Sequence, residues 1–370
     1  MKKRKIVVNY IAIRGGGIFY SLAMVKELCA MGNEVLGVVS SEMENLELWK
    51  TIPGLQLLIV KGYSTKWNFI PRLFCFLCST GPRLRKRIRC EGYEFVYIPM
   101  SSFWTIPVGF FLHDLKNIYT QHDPIPHDAK SPIARISKKC AEKADAIIVL
   151  SDLFVDAMRQ TYKKPIFSIP LGPVAQLMQK VSNKKNPSYS KMHNFLFQGK
   201  ILDYKGLDVL ADAYRKLSAE FSDVTLTIAG SGDFSQYKDM YASLPHVRIE
   251  NRWIKDEELS DFFAIPEVVT IVPYKTATQS GVIPLAMQNH SFVIASDCGG
   301  LREQIENNVT GILVPPSDSD ALCVAMKQAI LHPEDVKRMT ENAFARMNQY
   351  SWANAGQKLE QIMDCLSNKG

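Results

Sequence analysis

The chain has 370 residues, of which 46% are hydrophobic and 22% are charged, and its formal net charge is +7. This composition is that of a folded globular protein and excludes disorder as the main state. The length exceeds the usual range of one hydrophobic core, so we expect two domains. No stretch approaches the roughly 18 apolar residues of a transmembrane helix.

The N-terminal sequence MKKRKIVVNYIAI resembles a signal peptide only in outline. Its apolar run is short, Asn9 and Tyr10 interrupt it, and a glycine-rich turn follows in place of a cleavage site. We therefore predict a first buried strand over residues 5–13. We expect a cytoplasmic protein, and attachment to the inner membrane face stays open.

The first predicted elements form a strand–helix–strand unit with three glycines at residues 15–17 in its first turn. Glycines allow the backbone to approach a ligand closely. A helix over residues 19–31 follows. The pattern is not G-x-G-x-x-G, and the spacing to the acid Glu42 fits the dinucleotide fingerprint poorly. No nicotinamide or flavin cofactor is therefore predicted.

Residues 61–89 concentrate positive charge, and residues 69–89 have the periodicity of an amphipathic helix. This region has no acidic residue and eight basic ones: Lys61, Lys66, Arg72, Arg83, Arg85, Lys86, Arg87 and Arg89. Such a field suits a nucleic acid, an anionic membrane surface or a phosphorylated substrate, and the plain alternative is a solvated helix face. Nucleic acid is disfavoured, because no aromatic residues on strands alternate with the basic ones.

Eight cysteines are scattered along the chain, and only Cys75 and Cys78 form a C-x-x-C pair. Without a second pair or a histidine cluster, no zinc site is predicted. We expect free thiols in a reducing compartment. The basic neighbourhood leaves a redox role of this pair open.

A predicted strand over residues 117–120 ends in the loop QHDPIPH at residues 121–127. Its two prolines favour an extended backbone. The carboxyl ends of parallel strands carry ligand sites, which places His122 for ligand contact. A lone histidine is more often packed or on the surface, but Asp123 and His127 lie in the same loop. We therefore predict a functional role for His122.

The remaining pattern repeats the alternation of strands and helices. Ser151 is predicted to cap a helix that begins at residue 153. Other predicted elements of the first half are strands at residues 34–39, 55–60, 95–98, 146–150 and 166–170, and a helix at 133–143. The second half has strands at 194–198, 224–229, 247–250 and 311–314, and helices at 207–220, 256–263, 319–331 (capped by Ser317 or Asp318) and 350–366.

The loop between the strand at 194–198 and the next helix carries Lys200 and Lys205. Two lysines five residues apart around a strand-to-helix turn can converge on a diphosphate. This spacing predicts a phosphate-binding role for both.

Residues 271–303 hold the most informative stretch of the chain. A buried strand leads into a Thr-Gln-Ser-Gly loop at residues 278–281 (the TQSG loop), then a short helix, an apolar strand at 292–295 and a second loop with Gly299 and Gly300. Both loops follow the carboxyl ends of strands, where parallel sheets bind ligands. The TQSG loop leads into a helix, so we expect its free backbone N–H groups to bind an anion, with phosphate as the favoured ligand.

The alternation predicts two Rossmann-like, doubly wound α/β domains that face each other across a cleft. The expected bounds are residues 1–180, a polar basic linker at 181–193, and a second domain at 194–349. A final helix within residues 350–370 is expected to pack back on the first domain.

These motifs resemble glycosyltransferase family 4, whose members have the two-Rossmann GT-B fold. In the first half, the glycines at residues 15–17 and His122 match the family. The second half matches through an ordered set: FQGK at residues 197–200 with Lys205-Gly206, LTIAGSG at 226–232, Pro273-Tyr274, AM at 286–287 with VIASDCGGLRE at 293–303, and GILV at 311–314.

The resemblance implies transfer of a hexose from a nucleotide-sugar donor, with retention and without a bound metal or other cofactor. The acceptor would be a glycan or a lipid-linked molecule in surface polysaccharide synthesis. Lys200 and Lys205 match the basic pair that neutralises the donor diphosphate. His122 matches the histidine that contacts the transferred sugar. The resemblance also implies donor contacts by Gly16, Gly17, Gly230, Gly232 and the backbone at Ile254.

One departure concerns two glutamates that most of the family carries, with seven residues between them. Leu285 and Ala277 stand at those positions in this chain. We therefore predict that Thr278, Gln279, Ser280 and Gly281 substitute for the two carboxylates. The missing carboxylates also leave open a non-catalytic nucleotide-sugar-binding partner of a transferase, or a GT-B sugar-nucleotide epimerase.

Overall fold

The computed structural model describes residues 3–13, 17–62, 66–126, 130–173, 189 and 192–368. The chain divides into two compact units, Met1–Leu171 with Ser351–Gly370, and Gly172–Tyr350. Most of the predicted linker lies outside the described residues, and so does Gly16. In the part of the chain that the structure describes, no helix is both long enough and apolar enough to cross a bilayer.

The first unit is a parallel sheet covered by helices, which we number along the whole chain. Its strands are β1 (Lys5–Tyr10), β2 (Glu34–Ser40), β3 (Leu55–Val60), β4 (Phe95–Ile98), β5 (Lys116–Gln121), β6 (Ala146–Val149) and β7 (Ile166–Ser168). Its helices are α1 (Gly17–Ala30), α2 (Leu46–Lys50), α3 (Lys66–Cys75), α4 (Gly81–Glu91), α5 (Thr105–Phe111), α6 (Pro132–Lys143), α7 (Val155–Tyr162) and α15 (Trp352–Ser367).

The strands of the first sheet pair in the order β3-β2-β1-β4-β5-β6-β7, and all pairs are parallel. The order reverses between β1 and β4, as in doubly wound folds. The inner strands β4 and β6 are buried along their whole length. Such strands appear in the sequence as continuous apolar runs, because helices cover both faces of the sheet.

The C-terminal helix α15 packs against α1 within the first unit. Arg4, which precedes β1, forms ion pairs with Glu360 and Asp364 of this helix. Arg4 and Glu360 are buried, and Asn33 donates its side-chain N–H to Glu360 at 2.5 Å. A buried ion pair with this extra hydrogen bond fixes the position of the helix on the sheet.

The second unit is a parallel sheet of six strands in the order β10-β9-β8-β11-β12-β13. Its strands are β8 (Asn194–Gln198), β9 (Thr225–Gly230), β10 (Val247–Asn251), β11 (Val268–Val272), β12 (Phe292–Ser296) and β13 (Ile312–Val314). Its helices are α8 (Leu207–Glu220), α9 (Lys238–Ala242), α10 (Asp256–Phe263), α11 (Val282–Gln288), α12 (Leu301–Gln304), α13 (Ser319–Leu331) and α14 (Pro333–Gln349). Two doubly wound α/β domains are thus confirmed.

Several local predictions need correction. Strand β1 ends at Tyr10 and not at residue 13. Ser151 does not cap a helix, because a 3₁₀ turn at Asp152–Phe154 intervenes and α7 begins only at Val155. Asp318 does cap α13, accepting from two backbone N–H groups of the first turn. The short helices α2, α5 and α9 and the long α14 were not predicted.

Candidate functional site

The second sheet reverses its order between β8 and β11. In doubly wound sheets, ligands bind beyond the carboxyl ends of the strands at such a reversal. The loop after β8 carries Lys200 and Lys205, and the loop after β11 carries the TQSG residues. The topology therefore brings these two predicted groups to the same edge of the sheet.

Gly230 and Gly232 allow the loops after β8 and β9 to pack directly against each other. A Cβ atom on Gly230 would lie 1.7 Å from the carbonyl oxygen of Gly199, and one on Gly232 would lie 2.2 Å from that of Ile201. Backbone hydrogen bonds join the same loops, since Gly199 and Ile201 donate to Ala229 and Ser231. This contact explains both glycines in terms of the fold, and donor binding by them stays a prediction.

Lys205 ends a 3₁₀ turn that leads into α8 through Gly206. Gly206 has φ +70°, and a Cβ there would meet the Pro273 carbonyl oxygen at 1.9 Å. The close approach brings Lys205 beside Tyr274, so that its Nζ lies 3.5 Å from the centre of that ring. The ring of Tyr204 is 5.0 Å from the same nitrogen. Two aromatic rings thus hold this ammonium group by cation–π attraction.

Lys275, the next residue after Tyr274, is held in a different way. Its Nζ forms ion pairs with Asp203 at 3.2 Å and Asp208 at 2.9 Å, which raise its pKa against the opposing effect of burial. Within the described ranges, Lys200 and Lys205 have no carboxylate within ion-pair distance. Their charge is therefore available to an anionic ligand.

The TQSG loop is fixed by a residue that the sequence did not indicate. Gln304 of α12 accepts from the backbone N–H of Ser280 at 2.9 Å and donates to the Ser280 carbonyl at 2.8 Å. Arg346 of α14 in turn donates to the carbonyl of Glu303, next to Gln304, at 2.8 Å. The loop therefore has a defined conformation before any ligand binds.

The expectation of free backbone N–H groups at this helix start is wrong for Ser280 in the TQSG loop and for Val282, the first residue of α11. The N–H of Ser280 donates to Gln304, and the N–H of Val282 donates to the Ser280 hydroxyl at 3.2 Å. The Ser280 hydroxyl is buried and lies 3.4 Å from the hydroxyl of Tyr274. Ser280 thus connects the loop to the tyrosine that holds Lys205.

Gln279 and Thr278 complete the loop before Gly281. Thr278 is buried, and the side-chain oxygen of Gln279 is buried without a hydrogen-bond partner among the described residues. A buried amide oxygen without a donor is costly, so a donor group from a ligand would stabilise it. Among the loop side chains, Gln279 is the one with unused hydrogen-bonding capacity of this kind.

The loop after β10 contains Arg252 and the buried Ile254. The Arg252 guanidinium pairs with Glu258 through two hydrogen bonds of 2.9 Å and with Glu250 at 3.1 Å. The pair holds the pKa of Glu258 down at about 2. Because its side chain is engaged, Arg252 can offer a ligand mainly its backbone.

His122 lies in the first unit, directly after β5. Its Nε2–H donates to the Pro99 carbonyl at 2.8 Å, so the neutral ring carries its proton on Nε2. Burial lowers the pKa of His122, while the Pro99 carbonyl and the Asp123 carboxylate act in the opposite direction. The imidazole is therefore held neutral near pH 7.

Aromatic side chains of two helices pack around His122. Tyr20 of α1 meets the imidazole edge-on with a centroid separation of 5.1 Å, and Trp352 of α15 meets Tyr20 at 5.9 Å. The hydroxyls of Tyr20, Tyr97 and Thr120 form a buried cluster with separations of 3.0–3.2 Å. The final helix thus contributes to the surroundings of the histidine.

Gly17 begins α1, where a Cβ atom would lie 2.0 Å from the sulfur of Met100. The last glycine of the glycine-rich turn is therefore packed against the loop that follows β4. Within the described ranges, no group of three or more His, Cys, Asp or Glu side chains is arranged to hold a metal ion.

The sequence analysis did not identify the residues that hold the predicted site residues in place. These are Tyr204 and Tyr274 beside Lys205, Gln304 beside the TQSG loop, and Pro99 and Tyr20 beside His122. Only Tyr274 carried a signal, because it belongs to the Pro-Tyr pair at the end of a buried strand. His122 and Gly17 belong to the first unit, and the other described site residues belong to the second.

Two family models together match most of the chain. The model described as Glycosyltransferase Family 4 matches residues 14–172, and the model described as Glycosyl transferases group 1 matches residues 178–346. The boundary between the two matches falls close to the boundary between the two structural units.

Individual relatives give the same assignment. An alpha-D-kanosaminyltransferase of Streptomyces kanamyceticus is 24% identical over 308 residues, covering 76% of this chain and 79% of that protein. A phosphatidyl-myo-inositol mannosyltransferase of Mycolicibacterium smegmatis is 26% identical over 169 residues, covering 45% and 43%. The structure of Anabaena HepE in complex with UDP and glucose matches with a TM-score of 0.72 and 16% identity, over 98% of this chain and 99% of that one.

Proposed function

Because the chain is a glycosyltransferase of the GT-B type with a family 4 domain and a group 1 domain, we propose that it transfers a hexose from a nucleotide-sugar donor to a glycan or lipid-linked acceptor. The transfer proceeds with retention of configuration and serves surface polysaccharide synthesis. The observation that carries the donor assignment is the ammonium group of Lys205, which lies over Tyr274 without a carboxylate partner in the described part of the chain.

The chemical role of Lys205 and Lys200 follows from the charge that develops during transfer. When the bond between the sugar and the nucleoside diphosphate breaks, negative charge accumulates on the departing phosphate oxygen. A cation fixed nearby stabilises this charge more than the charge of the intact donor, and so lowers the barrier. Tyr274 keeps the ammonium group of Lys205 in place without neutralising it.

The TQSG loop takes the place of the two glutamates in recognising the donor. Gln279 has a buried side-chain oxygen that lacks a donor among the described residues, which suits a hydroxyl of the ribose or of the sugar. Ser280 and Gln304 shape the loop through their mutual hydrogen bonds. Thr278 and Gly281 flank these two residues, and Gly230, Gly232 and the backbone at Ile254 bind the nucleoside.

His122 contacts the transferred sugar in this proposal, together with the turn that contains Gly16 and Gly17. The hydrogen bond from Nε2–H to the Pro99 carbonyl fixes the orientation of the ring for this contact.

The proposed acceptor class is supported by similarity to one lipid-modifying relative. The matched mannosyltransferase acts, by its name, on a phosphatidylinositol lipid, and the match covers less than half of either chain. A lipid-linked acceptor would place the enzyme at the inner face of a membrane, with a cytoplasmic supply of donor.

The test is release of nucleoside diphosphate from a panel of nucleotide-sugars by the wild-type protein and by His122→Ala. We expect one donor to be hydrolysed or transferred by the wild type, and a loss of turnover without loss of binding in the variant. Binding without turnover of every donor, also with added lipid-linked glycans, would contradict the proposal. Product NMR on the active donor then reports whether the anomeric configuration is retained.

A further inference from the structure

A continuous exposed surface runs along α3, the π turn at Phe76–Thr80 and α4 in the first unit. We call it the α3–α4 face and define it by these exposed residues: Ile70, Phe74, Cys75, Leu77, Arg83 and Lys86. Its first part is apolar and its last part is basic.

The apolar part is unusually open to solvent for residues of this type. Ile70 is 74% exposed and Phe74, one helical turn later, is 68% exposed, with Leu77 at 39%. Phe110 of α5, which packs beside α4, is 68% exposed as well. Exposed apolar side chains that cluster in this way mark interaction sites.

These residues do not belong to the face that packs on the core. Phe76, Leu84 and Ile88 of the same segment are buried in the core of the first unit. In α3, Phe69 and Leu73 pack partly buried against the same core. The exposed apolar residues of the α3–α4 face are therefore distinct from the residues that pack on the core.

The charge of this region is only partly available. Carboxylates from outside residues 61–89 neutralise four of its basic residues: Arg72 pairs with Glu42, Arg87 with Glu91, and Arg85 and Arg89 with Asp114. Arg83 and Lys86 are exposed, and the described residues place no carboxylate within ion-pair distance of either. These two cations border the apolar part of the face.

We propose that the α3–α4 face docks on an anionic lipid bilayer. Ile70, Phe74 and Leu77 enter the boundary between headgroups and acyl chains, while Arg83 and Lys86 bind lipid phosphates. A second copy of the chain fits this face poorly, because a two-fold interface would bring the same cations together. The inference concerns location, and it stands independently of the donor assignment.

Vesicle co-sedimentation tests the proposal with wild-type protein and large vesicles of phosphatidylcholine, with or without 30–40% phosphatidylglycerol (roughly the anionic content that gives a strong surface potential). We expect binding that depends on the anionic lipid and weakens with salt. Arg83→Glu/Lys86→Glu should weaken binding at least about tenfold. The matched control is Lys238→Glu/Lys337→Glu, which changes the net charge equally at exposed positions of the second unit and should change binding less than about threefold.

The variant Phe74→Ser tests the apolar contribution. It should weaken binding to anionic vesicles and leave the melting temperature of the protein unchanged. An environment-sensitive dye on the exposed thiols of this segment, Cys75, Cys78 and Cys90, should shift its emission to shorter wavelength with anionic vesicles. Wild-type protein that does not bind them, or an equal loss in the control pair, would overturn the proposal. Binding to an acidic protein with no vesicle binding would overturn it too. Donor turnover is measured separately in solution without vesicles. A failure of the membrane proposal can therefore be distinguished from a failure of the proposed transferase activity.

Discussion

The loops at the sheet edge of the second unit and the buried attachment of α15 in the first unit both depend on cations, but they use them differently. Arg4 is buried and paired with carboxylates of α15, so its charge is neutralised within the fold. Lys205 lies over a tyrosine ring, and its charge is not neutralised by the described residues. The comparison separates cations that stabilise the structure from cations that are available to a ligand.

The same distinction holds between neighbours. Lys275 is paired with Asp203 and Asp208, whereas Lys205 faces Tyr274. In α4, Arg85 is paired with Asp114, whereas Arg83 and Lys86 of the α3–α4 face have no such partner in the described ranges. Counting basic residues in the sequence therefore overestimates the charge that a ligand meets.

The largest expected effect concerns a structural cation. Glu360→Ala leaves the buried Arg4 without its main partner and should lower the free energy of unfolding by about 3–5 kcal/mol. Asp364→Ala is the matched control, because Asp364 is 64% exposed and should contribute less than about 1 kcal/mol. Chemical denaturation measures both. Equal effects of the two substitutions would show that the buried pair does not hold the helix.

Substitutions in and around the TQSG loop should affect either the stability of the fold or the binding of the nucleotide-sugar. Gln304→Ala removes two hydrogen bonds to Ser280 and should lower the free energy of unfolding by about 1–3 kcal/mol. Ser280→Ala should lower it by a smaller amount.

Gln279→Ala should weaken nucleotide-sugar binding without loss of stability, because its side-chain oxygen has no partner to lose among the described residues. Thermal unfolding and calorimetry on the same samples separate the two. Normal donor binding and turnover by Gln279→Ala and Ser280→Ala would show that the loop is scaffold alone.

A smaller effect is expected at the ring that holds Lys205. Tyr274→Leu removes the cation–π contact and should weaken donor binding about threefold to twentyfold. Tyr274→Phe keeps the ring and loses only the hydroxyl near Ser280, so its effect should be less than about threefold. Titration calorimetry with the preferred nucleotide-sugar gives both values. A leucine variant that binds like the wild type would show that the ring does not position the lysine.

The smallest expected effect is the pH dependence at His122. Its pKa is lowered in the folded state, so the unfolded chain binds the proton more readily. Its contribution to stability should be constant above about pH 6.5 and decrease as the pH falls below the unfolded value. From pH 7.5 to pH 5, the melting temperature of the wild type should therefore fall more than that of His122→Gln. A difference that stays constant would contradict a lowered pKa.

Much of the fold could be predicted because buried parallel strands such as β4, β6 and β11 appear as short apolar runs. Helix α14 was missed, although Pro333 at its start and the acidic Glu334 and Asp335 in its first turn are local signals of a helix N-terminus. The residue types of the site were predictable from spacing near strand ends. Their partners were not, since Gln304 meets Ser280 across 24 residues, and Asp114 meets Arg85 across 29 residues. Such contacts depend on tertiary packing and leave no local pattern.

The most direct test of the donor site compares Lys205→Ala with Lys275→Ala in their binding of the nucleoside diphosphate that the wild type prefers. The two lysines lie in adjoining loops of the same sheet edge and differ in whether carboxylates neutralise them. We expect the dissociation constant to rise about 10- to 100-fold for Lys205→Ala and less than about threefold for Lys275→Ala. Equal dissociation constants for the two variants, or no measurable effect at Lys205, would contradict the central claim that this cation binds the donor diphosphate.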